Sequence, residues 1–249
     1  MTNKKLKIGK KGKIGIGTGI VAVVLVLVLF NVPLHFTMPS HVVETFETYT
    51  NGQAIQGTRW TLTTISGTTT SFVAKQTGTN MVGRFIDNSA TEWPAIQYRV
   101  DPSPKRTDVS CGMTVIIIDI PVEAIYIWFG YQMSLVWHDI AAFGFVAFGT
   151  NGPGHNFINV NDKFCAGINW VMGDTFDIKF SFVNATGIMV QLRRNGVDLA
   201  PVTRTTRVDS SHQPLSILNL PITTMSLYNA MYGAGGKFDV YIDNLCTSW

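Results

Sequence analysis

Glutamate is scarce in this 249-residue chain, which has only Glu44, Glu47, Glu92 and Glu123. None of the four has an acidic partner two positions away. This excludes the Glu-x-Asp-x-Glu strand pattern, in which neighbouring carboxylates share nucleophile and acid roles on a glycoside. Asp119 and Glu123 are separated by Pro121, which argues against a paired carboxylate face. No Gly-x-Ser-x-Gly elbow is present, so Trp137-His138-Asp139 lacks a nucleophile. Strand alternation would also send His138 and Asp139 to opposite faces. His35, His41 and His212 stand alone in the sequence, which gives no transition-metal cluster. The chain therefore reads as a non-enzyme.

Cysteine is also sparse. Cys111, Cys165 and Cys246 are an odd number, and none shows the spacing of a metal knuckle. In an oxidising compartment the simplest account is one bridge and one free thiol, with three pairings open. The alternative is three buried thiols acting as small apolar side chains.

What is abundant comes first in the chain. Lys4, Lys5, Lys7, Lys10, Lys11 and Lys13 precede Ile14–Leu34, a run of twenty-one residues without charge. About 20 apolar residues match a hydrocarbon core, and basic flanks stay cytoplasmic. The expected organisation is a basic tail (1–13), a transmembrane helix (14–34), a short stalk (35–44) and an extracytoplasmic domain (45–249). The protein is thus expected in the cell membrane as a single-pass chain. No alanine-x-alanine-like cleavage site lies between Phe30 and Val43.

The stretch Lys10-Lys11-Gly12-Lys13-Ile14-Gly15-Ile16-Gly17 resembles the N-terminus of archaellins and type IV pilin-like proteins. That resemblance implies cleavage between Gly12 and Lys13 and a helix packed into a filament core. Pro33 and Pro39 depart from it, because each should stop the helix. From residue 14 on there are thirteen Lys and Arg against sixteen Asp and Glu. No nucleic-acid footprint remains.

Beyond the stalk the pattern is one of strands. Runs at 59–65, 71–75, 81–86 and 95–100 are β-rich and bounded by turn residues. Thr114–Ile120 is nearly all apolar, as a central strand would be. Expected strands follow at 124–131, 134–140, 143–148, 156–160 and 169–172. Thr175–Phe182 alternates Phe176, Ile178, Phe180 and Phe182 against Asp177, Lys179 and Ser181. Strands at 187–194 and 197–202 flank Asn195-Gly196, a two-residue turn signal, and 237–245 closes the set. A dozen strands imply two packed sheets in one all-β unit.

Three stretches together resemble concanavalin A-like jelly rolls, the group that includes laminin G-like domains. They are Val43–Gly57 followed by Trp60, the hairpin region Gly173–Ala200, and the closing Gly236–Leu245 with its Ile242-Asp243-Asn244. The resemblance implies a two-sheet jelly-roll sandwich, a last strand beside the first, sugar binding and a structural calcium. The loops 151–162 and Asp87-Asn88 offer oxygen ligands for such an ion.

Stacking on a sugar needs an aromatic ring beside polar side chains. Trp93, Tyr228 and Tyr232 are the candidates, with His155, Asn156 and Asp162 from the loop region. Asn184-Ala185-Thr186 is a glycosylation sequon at an expected hairpin turn. The expected function is a membrane-anchored, lectin-like or adhesion module whose partner is a carbohydrate or a surface protein. A filament subunit and an atypical glycan hydrolase are the alternatives.

Overall fold

The computed structural model describes residues 36–63, 70–88, 95–103, 109–119, 124–133, 136–147, 156–161, 163–208, 210–218, 221–230 and 238–248. The predicted membrane segment 14–34 and the Gly12/Lys13 junction lie outside these. Among the described residues no helix is long and apolar enough to cross a membrane.

The described residues form strands in this order: β1 (His41–Glu44), β2 (Trp60–Thr63), β3 (Thr70–Thr77), β4 (Asn80–Asp87), β5 (Ala95–Arg99), β6 (Ser110–Asp119), β7 (Ala124–Met133) and β8 (Val136–Ala147). The second half continues with β9 (Asn156–Val160), β10 (Lys163–Asn169), β11 (Thr175–Phe182), β12 (Gly187–Arg194), β13 (Val197–Asp198), β14 (Val202–Thr205), β15 (Thr224–Ala230) and β16 (Phe238–Thr247). They make two antiparallel sheets. One has nine strands, ordered β13-β12-β11-β6-β16-β4-β3, with β1 also on β16 and β14 also on β12. The other has seven, ordered β10-β9-β8-β7-β15-β5-β2.

Apolar alternation puts one face of each sheet into a common core. In β11 every second residue, Phe176 to Phe182, is buried as predicted. Phe145 of β8 meets Phe176 at 5.1 Å between ring centroids, and Trp60 of β2 meets Phe72 of β3 at 4.8 Å. These contacts join the two sheets across a sandwich interior. Gly83 on β4 is needed there, because a Cβ would sit 2.8 Å from the Phe46 and Phe72 rings. Asn195 and Gly196 both take positive φ, 50° and 81°, which is how this pair turns β12 into β13.

Four sequence expectations are corrected. The stalk is part of the sandwich from Phe36 onward. Phe36 is buried, its N–H donates to Asp198 at 3.0 Å, and its carbonyl accepts from Arg193 at 2.9 Å. Pro39 covers Gly112 of β6, and β1 then pairs with β16, Glu44 opposite Leu245. The runs 134–140 and 143–148 fall largely on one strand, β8. Residues 169–172 do not form a strand; Asn169 ends β10, and a turn with Gly173 at φ 89° follows. Strands β10 and β15 lie where none was expected.

The fourth correction concerns cysteine. Cys111, Cys165 and Cys246 are all free and buried. Thr247 is the register partner of Cys111, and Cys246 that of Gly112. Strand alternation therefore turns Cys111 and Cys246 to opposite faces of the sheet, although they lie on neighbouring strands. Cys165 belongs to the other sheet.

Candidate functional site

The seven-stranded sheet has one face in the core, carried by Ile96, Met225, Leu227, Phe143, Phe145, Ile158 and Val160. The intervening residues belong to the outer face. Register aligns them in rows across the strands. The first runs Arg99–Thr224–Gly130–Asp139. The second runs Thr61–Gln97–Ser226–Trp128–Ala142. The third runs Ala95–Tyr228–Tyr126–Gly144–Asn159–Phe164.

In the second and third rows aromatic positions stand next to alanine, glycine, hydroxyl or amide residues. Neighbouring strands lie about 4.8 Å apart and alternate residues on a strand about 6.7 Å apart. Trp128, Tyr126 and Tyr228 are thus register neighbours at the spacing of one sugar ring. Thr224, Ser226 and Asn159 are buried on this outer face, Ser226 to 1% exposure. The Ser226 hydroxyl has no hydrogen-bond partner among the described residues, an uncommon state for a buried polar atom.

Of the sequence candidates, Tyr228 lies on β15 in the third row. Asn156 opens β9 opposite Ala147, on the face that carries Ile158, so the sheet does not bring it together with Tyr228. Trp93, His155, Asp162 and Tyr232 lie outside the described residues. Trp128, Tyr126, Gln97, Ser226 and Asn159 were missed by the sequence reading. The signal was available in Ile125-Tyr126-Ile127-Trp128-Phe129, where polar-tipped rings alternate with purely apolar side chains. Asn184 sits exposed in the turn between β11 and β12, where its Oδ1 accepts the Thr186 N–H at 3.0 Å.

The remaining chemistry is structural. Glu44 accepts from the Phe46 N–H at 2.8 Å and from the Trp60 indole at 3.0 Å, while Glu47 accepts from the Met81 N–H at 3.0 Å. Burial, with Glu47 and Glu44 nearby, raises the Asp243 carboxyl to about 6. Burial pushes all three thiols up, Cys246 to about 12, so at neutral pH none supplies a thiolate. An open cleft of about 470 Å³ separates β10 from the segment after β13, lined by Cys165, Ile168, Leu199, Pro201, Val202 and Arg204.

Among the described residues no group of three His, Cys, Asp or Glu could hold a metal ion. In the loop region expected to bind calcium, the Asn161 side chain is already occupied. Its Oδ1 accepts the Ala142 N–H at 2.8 Å and its amide donates to the Thr205 carbonyl.

No protein-family model matches this chain, and no curated protein does. Solved structures do resemble it. A family 11 carbohydrate-binding module from Clostridium thermocellum, in complex with a β-1,3-1,4-mixed-linked tetrasaccharide, aligns at 12% identity and TM-score 0.44. That alignment covers 86% of this chain and 97% of the module. The exoplasmic/lumenal domain of VIP36, bound to Ca²⁺ and Man3GlcNAc, aligns at 11% identity and TM-score 0.46, covering 76% and 86%. A protein of unknown function from Shewanella oneidensis aligns at 11% and 0.48, covering 99% and 97%. All three scores lie below 0.5, and the functional reading rests on the chain's own geometry.

Proposed function

We propose that this protein is a membrane-anchored, lectin-like jelly-roll module that binds glycan chains on the outer face of its seven-stranded sheet without cleaving them. The observation that carries the reading is the grouping of Trp128, Tyr126 and Tyr228 on neighbouring register positions beside Gln97, Ser226 and Asn159. Rings offer flat apolar faces to the C–H side of a sugar, and amides and hydroxyls take its hydroxyl groups. Charge enters only the end row, through Arg99 and Asp139, which suits a neutral polysaccharide.

Anchoring is supported by the six lysines followed by twenty-one uncharged residues. The absence of cleavage is supported by the sequence, in which no glutamate has an acidic partner two positions away.

The test is titration of the full chain, held in nanodiscs, with soluble neutral polysaccharides such as mixed-linkage glucan, xyloglucan and mannan. Binding to at least one is expected, and Trp128→Ala and Tyr228→Ala should each weaken it about tenfold, corresponding to about 1.4 kcal/mol. Binding that survives both substitutions unchanged would put the site elsewhere. Mass spectrometry of the mature N-terminus decides between an intact anchor and a filament subunit starting at Lys13.

A further inference from the structure

One corner of the sandwich carries an apolar tip. The turn after β10 exposes Val171 at 39% and Met172 at 55%, and the hairpin leading into β13 exposes Val197 at 65%. Hydrogen bonds hold these two loops side by side. The Asn195 N–H donates to the Thr175 carbonyl at 2.8 Å, and the Asn195 side chain donates to Asp174 at 2.7 Å. Arg194 pairs with Asp174 at 2.7 Å, and Val197 lies opposite Arg194 in register. Both carboxylates beside the tip are matched by arginines, since Arg193 pairs with Asp198 at 2.9 Å. The corner therefore presents apolar side chains without uncompensated negative charge.

The same corner receives the start of the domain. Asp198, which follows Val197, accepts the Phe36 N–H, and the Arg193 guanidinium lies 4.8 Å from the Phe36 ring centroid. In the sequence only His35 separates Phe36 from Leu34, the end of the uncharged run. Two residues of extended chain reach no more than about 7 Å.

We propose that Val171, Met172 and Val197 form a lipid-docking surface that rests in the interface of the bilayer crossed by residues 14–34. This inference depends on the anchoring half of the proposed function and not on glycan binding. With 14–34 crossing the bilayer, the two residues of chain between Leu34 and Phe36 make the corner beside Phe36 the part of the domain with the shortest tether to the headgroups. There three exposed apolar side chains lose water contact at no cost in unpaired charge. Docking would fix the orientation of the glycan-binding sheet relative to the membrane.

The experiment uses the full chain in phosphatidylcholine nanodiscs, with Met172→Cys or Val197→Cys carrying an environment-sensitive fluorophore. The native thiols are buried and leave the introduced one as the labelling site. The control is Val183→Cys, also exposed, just beyond the far end of β11 and about 25 Å away along the strands. Brominated lipid should quench the labels at 172 and 197 at least threefold more than the label at 183. Adding Met172→Asp should reduce quenching at 197 to the control level without lowering the melting temperature. Equal quenching at 172, 197 and 183 in a chain that resists alkaline carbonate extraction would overturn docking and leave the anchor standing. A chain released by carbonate would overturn both.

Discussion

The outer faces of the two sheets have been put to different uses. That of the nine-stranded sheet is braced. The segment from Phe36 to Glu44 crosses it, Arg84 is paired with Asp239, and the Thr114 hydroxyl donates to Asp177 at 2.7 Å. These polar groups are matched to one another. The outer face of the seven-stranded sheet has glycine, alanine and aromatic positions, and one buried hydroxyl, that of Ser226, without a partner among the described residues. A face braced by such pairs serves stability. A face that leaves a buried hydroxyl unmet gives up that stabilisation.

The largest effect should come from disturbing the braced face. Gly112 lies under Pro39, and a Cβ there would sit 2.8 Å from the Ile178 carbonyl and 3.2 Å from the proline ring. Gly112→Val should cost about 1–3 kcal/mol, seen as a lower denaturation midpoint, and should leave glycan affinity unchanged at temperatures where the protein stays folded. Next is Trp60→Phe. It removes the donor to Glu44 and strands a half-buried carboxylate, for a loss of about 1–3 kcal/mol in the same unfolding measurement. The Trp128→Ala and Tyr228→Ala substitutions should reverse the pattern, with binding about tenfold weaker and stability much less affected.

The smallest effect concerns Asp243, a half-buried carboxyl on the braced sheet. Its value of about 6 in the folded chain lies above the ordinary 3.8. The folded state therefore binds this proton more readily than the unfolded state does. A destabilising contribution is present in full above pH 6 and vanishes as pH falls below about 4. Asp243→Asn should raise stability at pH 7.5 by about 1 kcal/mol after allowance for solvent screening. That corresponds to roughly 2–4 °C in melting temperature. The gain should disappear at pH 4, and a gain independent of pH would point to packing instead.

Much of the fold was legible in the sequence because strand period and turn chemistry are local signals. Thr175–Phe182 and Asn195-Gly196 announced themselves fully. The closing run pairs beside β1, as the jelly-roll resemblance implied. The missed pieces depend on distant partners. Phe36–Glu44 has no alternation of its own and is ordered by Arg193, Asp198 and β16, all more than 150 residues away in sequence. Strand β15 was obscured because Tyr228 and Asn229 resembled the start of a loop. The three cysteines could not be resolved from spacing, since the face each occupies depends on register. The aromatic rows were hidden for a related reason: Trp128 and Tyr228 become neighbours only when β15 pairs with β7, which no local pattern encodes.

Strand β16 follows every other described strand in the chain, yet it lies in the middle of the nine-stranded sheet, between β6 on one side and β4 and β1 on the other. Until Phe238–Thr247 has left the ribosome, that sheet is two separate halves with two unpaired edges. Assembly of this sheet is therefore dominated by long-range pairing, which is slow. Deleting Phe238–Thr247 would leave the sheet unable to close.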